Sequence, residues 1–317
     1  MIGFFLYAVH VQMPRKKFLL YIPKPPHPLT RKEELPWQKP KPVSEDPAIA
    51  NKLEEIMTNR SYVPAIEDID FLKGPNARGI RLQLDYLKPQ VLLNKHGIEH
   101  TIVVFGSTRI VEPKAAQQSV DLLRNQLEQK PQNKKIIKKL AVAKRIQNHS
   151  QYYQVARKFS GLVGRSGNGP NDSQLVIMTG GGPGIMEAAN RGSAEVHAET
   201  VGLNITLPNE QFPNPYVTPE LCFQFHYFAI RKLHFVLRAR ALVAFPGGYG
   251  TLDELFETLT LIQTRKIMPM PVVLVGQSFW QKAVDIDFLV DEGVIDEEDK
   301  DLFWYAETAD DIWLSIN

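Results

Sequence analysis

The feature that most constrains this chain is a series of five short, continuous apolar runs rich in β-branched residues, at 101–105, 175–178, 201–205, 241–245 and 272–275. Each is bounded by Gly or Pro and separated from the next by a segment long enough for a helix. Strands that are apolar on both faces and joined by helix-length crossovers belong to a parallel sheet covered on both sides. The expected fold class is α/β: a Rossmann-like, doubly wound parallel sheet flanked by helices. Three of the runs lead into glycine, at Gly106, at Gly180 and at Pro246-Gly247-Gly248. Ligands of open parallel sheets bind beyond the carboxyl ends of the strands, so the site is expected there.

The rest of the chain reads as additions to that sheet. Residues 1–45 form a Pro-rich tail, with Pro23, Pro25, Pro26, Pro28, Pro36, Pro40 and Pro42 favouring extended polyproline geometry over hydrogen-bonded structure. Residues 46–99 carry apolar positions at mixed helical spacings and read as an N-terminal helical extension, and 100–317 as the Rossmann-like domain itself. Within it lies an insertion at about 114–150, which holds nine Lys and Arg against Asp121 and Glu128. Ile136, Leu140, Ala143 and Ile146 fall on one face of a helix there, with lysines on the other, as on a solvated surface helix.

Composition excludes several function classes. Lys and Arg number 37 against 35 Asp and Glu, a formal +2, so overall charge points to neither nucleic acid nor a membrane as partner. Cys222 is the only cysteine, which rules out an intramolecular disulfide framework and a Cys-rich metal site and fits a reducing, cytoplasmic setting. The apolar run 1–11 lacks a preceding basic residue and falls short of the ~20 residues that span a bilayer, so it reads as neither signal nor anchor. Met13, followed by Pro14-Arg15-Lys16, offers a second candidate start.

Two loops carry the chemistry. Thr179-Gly180-Gly181-Gly182-Pro183-Gly184 joins a strand to a helix, and so does Phe245-Pro246-Gly247-Gly248-Tyr249-Gly250-Thr251. Glycine lets backbone N–H groups approach an anion, and the helix that follows offers unpaired N–H groups and a partial positive charge. Both therefore read as phosphate cradles. Glu254 lies about one turn into the second helix, turned towards whatever the loop holds; a carboxylate suits the ribose of a ligand better than its phosphate. Arg231-Lys232, in the helical stretch before the fourth run, can reach the same sheet edge.

Familiar alternatives fail on their spacing. There is no Gly-x-x-x-x-Gly-Lys-Ser/Thr, no Gly-x-Ser-x-Gly and no His-Glu-x-x-His. Gly182-x-Gly184-x-x-Glu187 lacks the third small residue of the dinucleotide fingerprint, and no acid ends the next strand, which disfavours NAD. Cys222 and His226 stand four residues apart without further ligands nearby, so no metal is expected.

These residues together resemble the LOG ("Lonely guy") family, Rossmann-like proteins formerly labelled lysine decarboxylases, whose known members are nucleoside 5′-monophosphate phosphoribohydrolases. Residues 246–254 match the signature Pro-Gly-Gly-x-Gly-Thr-x-x-Glu completely, and 180–184 match the other glycine loop in the form of the longer bacterial members. Arg231-Lys232 looks like the family's Arg-Lys pair, although Phe228-Ala229-Ile230 replaces the Met-His-Glu that precedes it in plant-type members. The resemblance implies hydrolysis of the N-glycosidic bond of an AMP-like nucleotide to free base and ribose 5-phosphate, without a cofactor. It implies Glu254 and Arg231 as catalytic residues: Glu254 at the ribose, stabilising positive charge and helping to place water, and Arg231 in support of the leaving base or transition state. It implies Gly181, Gly182, Gly184, Gly247, Gly248, Gly250, Thr251, Lys232 and Ser107 as the phosphate and nucleotide ligands. A homodimer or higher homo-oligomer is expected on the same ground, with neither membrane nor nucleic acid as partner.

Two other readings stand beside this one. A non-catalytic nucleotide or molybdenum-cofactor carrier would use comparable glycine loops. A nucleotide-sensing regulator would act through the basic insertion, binding nucleic acid by Lys134, Lys135, Lys138 and Lys139.

Overall fold

The computed structural model describes residues 33–166, 175–208 and 212–316. The apolar run 1–11, both candidate starts and Pro23 to Pro28 of the Pro-rich tail lie outside the described residues. The chain divides into two compact units, Met1–Asp68 and Ile69–Asn317. The first carries helix α1 (Ile49–Thr58) and a 3-10 turn over Arg60–Tyr62, started by Asn59, whose side chain accepts from the Ser61 N–H at 2.9 Å.

The second unit is built on seven strands: β1 (His100–Phe105), β2 (Leu175–Thr179), β3 (Thr200–Ile205), β4 (Cys222–Phe225), β5 (Ala239–Ala244), β6 (Val272–Val275) and β7 (Trp304–Ala306). All pair in parallel, in the order β4-β3-β2-β1-β5-β6-β7. The five runs expected from the sequence are β1, β2, β3, β5 and β6. The edge strands β4 and β7 add to them.

Helices cover both faces. They are α2 (Ile69–Lys73), α3 (Arg78–Lys95), α4 (Pro113–Gln129), α5 (Lys134–His149), α6 (Gln151–Ser166), α7 (Ile185–Ala194), α8 (Phe228–Leu237), α9 (Tyr249–Gln263), α10 (Gln277–Ala283), α11 (Ile286–Asp291) and α12 (Ala309–Ile316). Alternate strand residues feed two separate cores, as a doubly wound sheet requires. Val103, Phe105, Met178, Leu242 and Leu274 pack with Leu93 of α3, Phe235 of α8, Leu255 of α9 and Trp280 of α10. Ile102, Val104, Ile177, Val243 and Val275 pack with Phe159 of α6, Ile185 of α7 and Ile312 of α12. Each fully buried Val, Ile, Leu or Phe contributes about 1.5–3 kcal/mol of transfer free energy, which is why continuous apolar runs end in the middle of such a sheet.

Helix α3 lies within the second unit. Asp85 accepts the backbone N–H groups of His226 (2.8 Å) and Tyr227 (2.9 Å), just ahead of α8, and Arg81 donates to the Tyr227 hydroxyl at 3.1 Å. The insertion forms the hairpin α4–α5. Pro113 opens α4, and Asn133 caps α5 by accepting from the N–H of Lys135 (3.0 Å) and of Ile136 (3.3 Å). Leu140 and Ala143 are buried against Val120, while Lys134, Lys135, Lys138 and Lys139 are exposed, as the periodicity predicts.

Candidate functional site

Chain order reverses at β1: β2, β3 and β4 extend the sheet on one side of it, and β5, β6 and β7 on the other. The loops that leave β1 and β5 therefore diverge at the carboxyl edge and open a crevice. Backbone hydrogen bonds fix its walls: Phe245 N–H donates to Phe105 O (2.9 Å), Ser107 N–H to Pro246 O (3.0 Å) and Ile185 N–H to Ser107 O (3.2 Å). The crevice is a cavity of about 680 Å³, of a size that holds a drug-sized ligand.

The second glycine loop forms one end of this cavity. Gly247, Gly248, Gly250 and Thr251 all line it, and Gly248 caps α9. A Cβ at Gly247 would lie 2.1 Å from Thr251 Oγ1, so only glycine lets that buried hydroxyl fold back under the loop. A Cβ at Gly248 or Gly250 would meet nothing within 4 Å; both positions leave backbone bare to the cavity. Thr251 N–H already donates to Gly248 O at 3.0 Å, while the N–H groups of Tyr249 and Gly250, both lining the cavity, have no backbone acceptor among the described residues. Across from them stand Ser107, whose hydroxyl accepts the Arg109 N–H at 3.1 Å, and the Arg109 side chain itself. Among the described residues the Arg109 guanidinium has neither ion pair nor hydrogen bond.

Glu254 belongs to the inward stripe of α9, with Thr251, Leu255, Thr258 and Ile262, so its carboxyl is buried where the apolar period would place a hydrophobic side chain. No described residue hydrogen-bonds that carboxyl. Burial raises its pKa to about 7, against the opposing pull of the Arg231 and Lys232 cations. Arg231 lines the same cavity from α8. Its Nε donates to Leu203 O at 2.7 Å, and its guanidinium lies over the Phe235 ring at 5.1 Å. Burial lowers its pKa and the nearby Glu254 opposes that shift.

The structure thus brings Glu254, Arg231, Gly247, Gly248, Gly250, Thr251 and Ser107 to one cavity. Lys232 stands apart: its ammonium pairs with Asp253 (3.0 Å) and Glu257 (2.9 Å) on the flank of α9. Gly181, Gly182 and Gly184 do not line the cavity either. Thr179 Oγ1 accepts the Gly181 N–H (2.9 Å), and Asn214 donates to Gly181 O (2.8 Å) from its backbone and to Gly182 O (3.0 Å) from its side chain. Gly184, at φ +76°, leaves room for the backbone of Ser107, whose oxygen would lie 2.4 Å from a Cβ. Of the first loop, Gly180 serves the site indirectly, since a Cβ there would meet the Arg231 guanidinium at 2.6 Å.

Sequence reasoning passed over Arg109, Met186, Phe228, Phe279 and the insertion residues Val142, Ile146 and His149, all of which line the cavity. Arg109 had a usable signal, because it follows the first strand at the carboxyl edge. The insertion residues had none, because nothing in a helical period says which neighbour it meets.

Residues 186–316 match a protein-family model described as "Possible lysine decarboxylase". The pyrimidine/purine nucleotide 5′-monophosphate nucleosidase of Escherichia coli K12 is 31% identical over 141 residues, covering 41% of this chain and 30% of that protein. The rice cytokinin riboside 5′-monophosphate phosphoribohydrolase LOG is 38% identical over 88 residues, 27% of this chain and 36% of that protein. The chain therefore spans about a third of the length of these curated relatives. Among solved structures, the molybdenum cofactor binding protein of Rippkaea orientalis superposes with a TM-score of 0.37 at 21% identity, over 51% of this chain and 84% of that one. Residues 246–254, with the open glycine loop and Glu254, lie inside the matched stretch; β1, its loop and the insertion precede it.

Proposed function

We propose that this protein, a LOG-family chain over residues 186–316, hydrolyses the N-glycosidic bond of a nucleoside 5′-monophosphate to free base and ribose 5-phosphate. The observation that carries the reading is Glu254: a buried carboxyl without a hydrogen-bond partner among the described residues, beside a guanidinium, one helical turn from an open glycine loop.

The phosphate sits at the start of α9, against the bare backbone of Gly248 and Gly250, the Thr251 hydroxyl, Ser107 and the Arg109 cation. Anchoring it fixes the ribose over Glu254. As the C1′–N bond breaks, its electron pair leaves with the base and positive charge grows on C1′ and the ring oxygen. The Glu254 carboxylate stabilises that charge in a site shielded from water. Water then bonds to C1′ and gives a proton to Glu254, which returns it to the departed base; a pKa near 7 suits a group that takes and gives a proton at neutral pH. Arg231, held by Leu203 O, opposes the burial that raises this pKa and favours the ionised carboxylate.

The test is release of base and ribose 5-phosphate from AMP, GMP, CMP, UMP and isopentenyl-AMP. Wild-type turnover, lost by about 100-fold or more in Glu254→Gln while AMP still binds, supports the hydrolase. A folded, AMP-binding protein that releases no base from any of them sinks it and favours the carrier.

The working form we propose is a cytoplasmic homodimer or higher homo-oligomer. A second copy would cover the exposed Leu233 and Leu237 of α8 and Phe256 of α9, and light scattering at micromolar concentration measures it. No helix among the described residues is long and apolar enough to cross a membrane.

A further inference from the structure

The hairpin α4–α5 sends the last two turns of α5 into the cavity that holds Glu254 and Arg231: Val142, Ile146 and His149 all line it. His149 is half-buried there, stacked on Tyr152 (ring centroids 5.9 Å apart, planes at 21°) and edge-on to Phe279 (6.2 Å, 84°). Phe279 lines the cavity too, and it meets the buried Trp280 edge-on at 5.4 Å. Two rings therefore hold the imidazole. Among the described residues neither of its ring nitrogens has a hydrogen bond or an ion pair.

The two ends of the cavity differ in chemistry. The α9 end is backbone N–H, hydroxyl and cation, fit for phosphate and sugar. The α5 end is Val142, Ile146 and Phe279, with an imidazole that has no hydrogen bond among the described residues; Arg109 also borders Val142 and Ile146, in a neighbouring hollow. A flat aromatic heterocycle that stacks on apolar side chains and offers a ring-nitrogen acceptor fits this second end. Resting on the hydrolase reading above, we propose that the insertion is the nucleobase end of the site, and that His149 donates a hydrogen bond to N7 of a purine. The bond tightens as the C1′–N9 electron pair passes into the base, so it acts on the leaving group as well as on recognition.

The test compares AMP with 7-deaza-AMP, which has carbon in place of N7. Wild type should lose about 10–100-fold in kcat/KM on going to the deaza substrate, the range of one hydrogen bond to a group gaining charge. His149→Ala should fall by a similar factor on AMP and treat the two substrates alike, with inhibition by ribose 5-phosphate unchanged. His149→Gln, which keeps a donor, should recover part of the loss. Equal losses on both substrates in His149→Ala, or none, overturn the proposal in favour of packing alone. Calorimetric Kd values for both nucleotides in a Glu254→Gln background read the base contact without turnover. A preference for AMP there that His149→Ala abolishes, where the wild-type protein releases no base, would keep the contact and discard the hydrolase.

Discussion

The two glycine loops look alike in sequence and do opposite things in the fold. In 180–184 the space beside three of the glycine Cα atoms is filled by the protein itself: Arg231 beside Gly180, Asn204 beside Gly181 and the Ser107–Thr108 backbone beside Gly184. In 247–250 that holds only at Gly247, and Gly248 and Gly250 face open space. Glycine in a strand-to-helix turn reports that something must come close. Whether the visitor is the chain or a ligand is decided by residues far away in sequence.

The largest effect should come from filling the packed loop. Gly184→Ala adds a Cβ at φ +76° and 2.4 Å from Ser107 O, which combines overpacking with left-handed strain for a loss of about 3–4 kcal/mol. Urea unfolding measures it. A loss below 1 kcal/mol would mean that the two loops are equally yielding.

Next comes the cavity beside the open loop. Glu254 titrates near pH 7 in the fold against 4.5 for an ordinary glutamate. Between these values the folded protein keeps a proton that the unfolded chain has lost, so stability falls as pH rises from about 4.5 to 7 and then levels. Glu254→Gln removes this slope. The variant should match wild type near pH 4.5 and exceed it at pH 8 by about 2–3 kcal/mol, as denaturant titration at the two pH values will show.

Smaller effects separate binding from folding at the open loop. Gly248 is extended, at φ −103° and ψ −153°, so Gly248→Ala should leave stability within about 0.5 kcal/mol of wild type. With phosphate bound as proposed, the added methyl group would intrude on it, and the Kd for AMP should weaken about 10-fold or more, some 1.4 kcal/mol. Gly250, already inside α9, should gain about 0.5–1 kcal/mol of stability as Ala while weakening AMP in the same way. Thermal unfolding beside calorimetry reads both.

Much of this architecture was legible in the sequence, for a specific reason. Strands buried on both faces must be apolar throughout, and β1, β2, β3, β5 and β6 announce themselves that way. The strands β4 and β7 lie at the edges, where one side of each is unpaired: Gln224 and Trp304 are exposed, and the runs are four and three residues long. Glu254 and the signature loop could be read because strand, loop and helix are contiguous. His149 could not, because its contact with Phe279 depends on how a hairpin folds back over the sheet. The role of 180–184 was read as a cradle from its glycines, yet Asn204 and Asn214, which occupy it, lie beyond the following helix.

The central position of β1 also sets a schedule. Among the described strands it comes first in the chain, and one of its two partners, β5, begins only at Ala239, well over a hundred residues later. At ~5–20 residues per second that is a wait of about ten seconds. Throughout it, an apolar strand has an unpaired edge, the condition under which strands find the wrong neighbour. A chain arranged this way should be most prone to aggregate while it is being made, and its yield should respond to slower translation or added chaperone far more than its finished stability would suggest.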